Sequence, residues 1–355
     1  MPSRHALLLC AALLAAAFLA VPAHLAAQKP YRVLDTWKLG GDGGWDYLLA
    51  DPDAHRLYLT RGARVDVVDT QSGKIIGSIV GLHGTHGVAL DTAGKFGYIS
   101  DGGGNAVVVF DRASLATVAT IPAGANPDAI VFEPATHTVW AFNGRSNDAT
   151  VIDAKKNKVV ATIPLPGKPE FAAVDGHGAL YDNIEDKNEI VRLDAKQKML
   201  TALWPLTGCD GPSGLAIDPS GSRLFSVCHN KTMAVTDAKT GKPLASAVIG
   251  DGPDAAAWSA TRKLAFSSNG GGWSASGASP DSASLTVVDA SDPGYPVLQN
   301  LPTQRGARTM AYDSATDRIY LVTAGFGPRP APTPDNPHPR PAILPGSFTV
   351  LVVGR

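Results

Sequence analysis

The feature that most constrains this chain is an internal repeat with a period of about 42 residues. In each unit a short apolar strand ends at an acidic residue or a serine, at Asp51, Asp91, Glu133, Asp175, Asp218, Ser259 and Asp313. The steps between these positions are 40, 42, 42, 43, 41 and 54 residues. A second strand followed by Asp keeps nearly the same period, at Asp69, Asp111, Asp153, Asp194, Asp237 and Asp289. We infer seven units from the two series.

Four short strands recur in the units, separated by turns rich in Gly, Pro and Asp, as in residues 214–217, 223–227, 233–236 and 244–249. A repeat of this length with four strands is typical of a β-propeller blade, which buries its faces only when the blades close into a ring. The last two units are roughly 11 and 22 residues longer than the others, which leaves no room for a further domain. The sequence predicts an all-β, seven-bladed β-propeller with four antiparallel strands per blade, in one domain of residues 28–355.

The fourth strand of the last unit is predicted at the other end of the chain. The last unit ends with its third strand, residues 348–353, whereas residues 31–39 match the fourth strands of other units, such as residues 74–80 and 159–165. We expect this N-terminal strand to complete the last blade and fasten it to the first, so that the sheet edge is covered.

The N-terminal residues have the pattern of a secretory signal peptide. Arg4 and His5 precede an apolar stretch of residues 6–20, and small residues follow as far as Ala27. An apolar stretch of this length is shorter than the ~20 residues that a membrane-spanning helix needs. We predict a signal peptide of residues 1–27, no membrane span after its removal, and a periplasmic or secreted, monomeric protein.

Two cysteines, Cys209 and Cys228, lie beyond the predicted signal peptide. In an oxidising compartment such a pair is expected to form a disulfide. Two buried free thiols, or a soft-metal site with Asp210 and His229, are the alternatives.

Several segments resemble a known family. Residues 158–164 (KVVATIP), residues 211–218 (GPSGLAID) and the Asn269-Gly270 pair resemble the YncE-like, or YVTN-repeat, family of bacterial secreted β-propellers, over nearly all of residues 31–355. The resemblance implies the propeller fold and a secreted or envelope location. It implies no activity, because no catalytic motif accompanies the repeat.

One position per unit collects polar residues. The residue five before each first-strand anchor is Asp46, His86, Asp128, Glu170, Ser213, Asp254 or Arg308. These positions are expected at one mouth of the central channel, and we refer to them as the ring. Acids that cap turns explain part of the pattern. Otherwise Asp46, Asp128, Glu170 and Asp254 need a counter-charge, either Arg308 or a bound divalent cation such as Ca²⁺ or Mg²⁺.

Further polar residues map to the turns of the same face, and they are Asn143, Asn183, Asn230 and Asn269. Asn at such positions is a common hairpin residue, but its carbonyl oxygen also suits a cage of oxygen ligands around a cation. His86 and His229 are the candidate catalytic or ligand-binding histidines, with solvated loop histidines as the alternative. Both long insertions, residues 270–284 and 325–346, are expected on this face, where they are candidate binding loops or lids.

Three functions remain open. The first is a binding or scaffold protein that holds a small molecule, a cation or a protein segment at the channel mouth. The second is a metal-dependent hydrolase or lyase, such as a lactonase, in which the cation polarises a carbonyl and His86 or His229 moves the proton. The third is a cell-surface adhesion propeller. A formal net charge of −1 without a polybasic run argues against general nucleic-acid binding, and no common catalytic motif is present.

Overall fold

A computed structural model describes residues 29–91, 93–272, 282–333, 336 and 339–355. The predicted signal peptide lies outside these residues. Within them, residues Tyr31–Arg355 form one compact unit. Its strands in the first half of the chain are β1 (Arg32–Lys38), β2 (Leu48–Asp51), β3 (Arg56–Thr60), β4 (Gly62–Asp69), β5 (Lys74–Leu90), β6 (Phe96–Asp101), β7 (Ala106–Asp111), β8 (Thr117–Pro122), β9 (Pro127–Glu133), β10 (Thr138–Asn143), β11 (Asp148–Asp153), β12 (Lys158–Pro164) and β13 (Pro169–Val174).

The strands in the second half are β14 (Ala179–Ile184), β15 (Glu189–Asp194), β16 (Met199–Pro205), β17 (Pro212–Asp218), β18 (Arg223–Cys228), β19 (Thr232–Asp237), β20 (Pro243–Val248), β21 (Pro253–Ser259), β22 (Leu264–Asn269), β23 (Ser284–Asp289), β24 (Val297–Pro302), β25 (Met310–Asp313), β26 (Arg318–Thr323) and β27 (Thr349–Gly354). Two short 3₁₀ turns are described, at Gly102–Gly104 and Glu185–Lys187. No helix in the described part of the chain is long and apolar enough to cross a membrane.

The described strands form antiparallel sheets, as predicted. Five sheets have four strands each, and the sixth has seven strands in the order β2-β3-β4-β5-β6-β7-β8. The seven-stranded sheet departs from the regular pattern because β5 is one continuous strand of 17 residues. Its first part pairs with β4 and its last part with β6, and Thr85 pairs with both Gly62 and Asp101.

The N-terminal strand completes the last sheet, which confirms that part of the topology prediction. Strand β1 pairs antiparallel with β27, from Arg32 opposite Gly354 to Lys38 opposite Thr349, in the order β1-β27-β26-β25. The same sheet packs against the seven-stranded one through a buried cluster that includes Leu57, Tyr320 and Val350. The two ends of the unit are thereby joined both by hydrogen bonds and by apolar packing.

The first strand of each repeat lies on the inside of the ring of sheets. Strands β2, β5, β9, β13, β17, β21 and β25 contact one another in that order, and β25 contacts β2. Apolar clusters between neighbouring sheets form the core, as where Trp140 and Phe142 pack with Leu180 and Val191. The inner strands therefore bring one position of each repeat to a shared channel mouth.

The disulfide prediction is confirmed, because Cys209 and Cys228 are bonded to each other. Both cysteines are buried, and Cys228 is the last residue of β18. The bond therefore fixes the segment between β16 and β17 to the end of β18, next to the channel mouth.

Candidate functional site

The first three ring residues meet in one cluster, which we call the histidine cluster (Asp46, His86 and Asp128). Asp46 lies just before β2, His86 in β5 and Asp128 in β9, so each comes from a different inner strand. The Nδ1 atom of His86 is 2.6 Å from Asp46 Oδ2 and 3.5 Å from Asp128 Oδ1. One potential ligand atom from each of the three residues lies within 4.8 Å of the others. Two carboxylates and an imidazole at this spacing can hold a divalent cation.

A second group joins the ring on its other side. Arg308 Nη1 donates to Asp254 Oδ2 at 2.9 Å, and Arg308 Nη2 is 3.8 Å from Asp46 Oδ1. The hydroxyl of Ser213 donates to Asp254 Oδ1 at 3.1 Å. Arg308 therefore supplies the counter-charge that the sequence suggested, and it links Asp254 to the histidine cluster.

Glu170 is held by residues that the ring pattern does not contain. Lys168 Nζ is 2.8 Å from Glu170 Oε2 and also pairs with Glu185. The Glu170 backbone N–H donates to Asp182 Oδ1, and Tyr47 donates its hydroxyl proton to the Glu170 carbonyl at 2.8 Å. Asp182 is fully buried within β14, which its position inside an apolar strand could have indicated.

Burial and neighbouring charges shift the pKa values of the ionisable groups at the channel mouth. Burial lowers the pKa of His86, but the hydrogen bond to Asp46 and the charges of Asp128, Asp46 and Glu170 outweigh burial and raise that pKa to about 9. Burial, followed by repulsion from neighbouring carboxylates, raises the pKa values of Asp128 and Glu170. Burial raises the pKa of Asp182 well above its ordinary value. These groups at the channel mouth therefore keep their protons to a higher pH than the same groups do in solution.

The ring acids differ from the acids that cap turns. Asp69 and Asp111 each accept backbone N–H groups two or three residues further along the chain, at Ser72 and Ser114 for example. Hydrogen bonds with Ser72 and Ser114 lower the pKa of both carboxyls, in Asp111 to about 2. Neither Asp46 nor Asp128 caps a turn in this way in the described part of the chain. Turn capping therefore does not account for these two ring acids.

Three of the four asparagines in the predicted oxygen cage use their amide oxygens in hydrogen bonds within the protein. The amide oxygen of Asn183 accepts from Ser226, that of Asn230 from the Asp210 N–H, and that of Asn269 from Ser267. Asn143 is buried and donates to Asp148 and Thr150. Asn143, Asn183 and Asn269 stand at buried strand positions. The protein itself uses the amide oxygens of Asn183 and Asn269, whereas that of Asn143 has no hydrogen-bond partner in the described part of the chain.

His229 lies at the same mouth but outside the histidine cluster. It is exposed and lines a cavity of about 220 Å³ together with Asp254 and Arg308. Residues 273–281 of the first insertion, with Trp273, and residues 334, 335, 337 and 338 of the second lie outside the described residues. The rest of the second insertion is braced, because Gly327 donates to the Ala342 carbonyl and Leu344 to the Gly325 carbonyl, each at 2.9 Å.

Comparisons with known proteins agree with the fold. No protein-family model matches the chain. It is similar to the uncharacterized protein YncE of Salmonella typhimurium, at 31% identity over 148 residues, and to that of Salmonella typhi, at 30%. Each match covers 40% of this chain, and the chain spans 42% of the length of these curated relatives.

Three solved structures match over most of their own length. Hydrazine synthase of Kuenenia stuttgartiensis matches with a TM-score of 0.68 at 16% identity, covering 78% of this chain and 92% of that one. U3-55K matches with a TM-score of 0.70 at 12% identity, covering 90% of this chain and 98% of that one. The WD40 repeats of RRP9 match with a TM-score of 0.71 at 12% identity, covering 91% of this chain and 97% of that one. Because WD40 repeats are propeller blades, the chain is a β-propeller that is similar to YncE over part of its length.

Proposed function

We propose that this chain is a seven-bladed, periplasmic or secreted binding protein that takes a divalent cation at the histidine cluster. The observation that carries the proposal is the meeting of Asp46, His86 and Asp128 within 4.8 Å at the channel mouth. A binding role fits a mouth where charged side chains converge beside a cavity and where no recognisable nucleophile is present.

The proposed blade count assigns the seven-stranded sheet to two blades. Strand β5 would serve as the fourth strand of one blade and the first strand of the next, since its two ends pair with β4 and β6. With the five four-stranded sheets this makes seven blades, and seven inner strands contact one another in order. The length of the repeat supports the same number.

The ligand atoms favour a borderline transition-metal ion over the Ca²⁺ or Mg²⁺ suggested by the carboxylates alone. Imidazole nitrogen suits Zn²⁺ and similar ions, whereas Ca²⁺ and Mg²⁺ prefer oxygen. The cation and the His86 proton compete for the same Nδ1 atom, so cation affinity should rise with pH. Asp254 and Glu170 are committed to Arg308 and Lys168, and we place them outside the primary ligands.

Titration calorimetry with Zn²⁺, Mn²⁺ and Ca²⁺ tests the proposal. The parent should bind about one equivalent, and His86→Gln and Asp128→Asn should each weaken binding at least tenfold, in the range seen for lost support of a metal site. His83→Gln is the matched control, because His83 Nδ1 also faces an aspartate, Asp101, at 3.0 Å but is 70% exposed. Undetectable binding of all three ions, or equal losses in the control, would overturn the proposal.

The second candidate is a metal-dependent hydrolase of the lactonase type. It is favoured by the position of Arg308, which pairs with Asp46 and also lines the neighbouring cavities. A histidine that binds the cation through Nδ1 is poorly suited to move a proton at the same atom, so His229 would take that role. Turnover of a lactone panel by the cation-loaded protein, abolished in His229→Ala with cation binding unchanged, would favour this candidate over simple binding.

A further inference from the structure

A cavity at the channel mouth has a lining that does not include the residues of the histidine cluster. It has a volume of about 590 Å³, within the range of small-molecule sites. One wall is the segment of residues 42–45, and the other is the second insertion. Its apolar surface comes from Trp45, Phe326, Ile343, Leu344 and two prolines, and its charged residues are Asp42, Arg308 and Arg340.

Both walls are held by contacts in the described part of the chain. The buried guanidinium of Arg61 donates to the carbonyls of Asp42, at 2.9 Å, and Gly44, at 3.2 Å, and lies 3.5 Å from the centre of the Phe348 ring. The opposite wall is held by the bridge between Phe326 and Ile343. A cavity whose walls are held in this way does not have to be ordered by its ligand, which favours binding.

The charged and polar groups that line the cavity differ in whether they have ion-pair or hydrogen-bond partners. Arg308 is paired with Asp254, whereas Arg340 is exposed and has no ion-pair or hydrogen-bond partner in the described part of the chain. The buried indole N–H of Trp45 also has no acceptor there. With Asp42 opposing the two arginines, the formal charge of the lining is +1. An anionic group would therefore be received at Arg340.

We propose that this cavity binds a small organic anion, a carboxylate or sulfonate with an aromatic or branched apolar body. The apolar body lies between Trp45 on one side and Phe326, Ile343 and Leu344 on the other. The anionic group pairs with Arg340 at the rim. No cation is required, so the proposal does not depend on the histidine cluster.

A pair of fluorescent probes tests both parts of the proposal. 1-Anilinonaphthalene-8-sulfonate has an aromatic body with an anionic group, and N-phenyl-1-naphthylamine has the same body without the charge. Titrations are made with the full-length mature protein in EDTA, so that failure of cation binding does not affect the result. We expect the parent to bind the sulfonate at one site and more tightly than the neutral probe.

Three variants locate the site. Arg340→Gln should weaken the sulfonate about tenfold, the effect of losing a charged hydrogen bond, and leave the neutral probe within twofold. Phe326→Ala should weaken both probes. Arg145→Gln is the matched control, because Arg145 is an exposed arginine in a turn of another blade, and it should change neither affinity. Thermal melting identifies a variant that fails to fold, and Ile343→Gln then replaces Phe326→Ala.

Several results would overturn the proposal. One is an unchanged affinity of Arg340→Gln for the sulfonate, and another is an equal loss in Arg145→Gln. Non-saturable binding of both probes would show general apolar adsorption. Light scattering adds the last outcome: if the parent forms a dimer whose formation displaces the sulfonate and is abolished by Leu344→Gln, the cavity is an interface between copies of this chain.

Discussion

The protonation of the channel mouth makes the stability of the cation-free protein depend on pH in a specific direction. In the folded chain the pKa of His86 is about 9, against 6.5 for a free histidine. Between these values the folded state holds one proton more than the unfolded state. The stabilisation is therefore fully present below pH 6.5 and is lost as the pH rises through about 9.

The magnitude follows from the two pKa values. At about 1.4 kcal/mol for each pH unit, the difference corresponds to about 3 kcal/mol for His86, whose side chain is 26% exposed. The raised pKa values of Asp128 and Glu170 act in the same direction, because these carboxyls also hold protons in the folded state that the unfolded state has released. We expect the free energy of unfolding in EDTA to fall by about 3 kcal/mol or more between pH 6.5 and 9.5.

The Asp46→Asn substitution isolates the cause. It removes the hydrogen-bonding carboxylate and the charge that raise the pKa of His86, so that pKa should fall toward its ordinary range. The fall in unfolding free energy over the same pH interval should then be less than half that of the parent. His83→Gln, at an exposed histidine, should leave the slope unchanged.

Urea unfolding followed by tryptophan fluorescence at pH 6.5, 7.5, 8.5 and 9.5 measures these slopes. A stability that is flat across this range in the parent would refute the reasoning about His86. A slope in Asp46→Asn equal to that of the parent would show that the pH dependence arises elsewhere in the protein.

Three further predictions concern the scaffold around the mouth. Replacing Cys209 and Cys228 by serine should lower the free energy of unfolding by about 3 kcal/mol, the effect of releasing a loop with a sequence separation of 19 residues; an unchanged urea midpoint would contradict it. Deleting residues 31–39 should expose the edge of β27 and produce concentration-dependent association by light scattering; a monomer as stable as the parent would show that β1 is dispensable. Arg61→Met should cost about 1.5–3 kcal/mol for the lost charged hydrogen bonds to the Asp42 and Gly44 carbonyls and weaken probe binding in the large cavity; unchanged probe affinity would show that Arg61 does not hold that wall.

The fold could be predicted because the same order of strands and turns occurs in each unit of the repeat. One strand such as residues 31–39 is ambiguous alone, but its match to the fourth strands of other units predicted its pairing with β27. The continuous β5 could not be predicted, because the Gly81 to Gly84 stretch has the composition of a turn. In the structure Thr85, directly after it, pairs with both Gly62 and Asp101, so the strand continues.

The candidate site was only partly predictable. Counting back from the strand anchors identified residues on consecutive inner strands, but not which ones would touch. The sequence grouped the four acids by type, whereas the structure groups Asp46 and Asp128 with His86 and commits Asp254 to Arg308. Contacts of this kind depend on side-chain direction and length, which a period does not encode.

Residues that act from outside the repeat pattern were missed. Lys168 and Asp182 reach Glu170 from the neighbouring turn and from inside a strand. Arg340 comes from an insertion that has no counterpart in most other units. Asn183 and Asn269 were assigned to turns, whereas both are buried residues of strands. The signal for Asp182 was a charged residue in an apolar strand, which is rarely tolerated without a specific role.

The acidic residues of the turns and those of the channel mouth differ in how their surroundings affect the charged form. Asp111 and its equivalents in the turns stabilise the fold, since hydrogen bonds from nearby residues favour their charged form. Asp128 and Glu170 do the reverse, because burial and mutual repulsion oppose their ionisation. A fold with seven similar repeats could place a capped turn at every one of these positions. Destabilised carboxyls gathered at one mouth, on two neighbouring inner strands, support the proposed cation site rather than a role in the propeller scaffold.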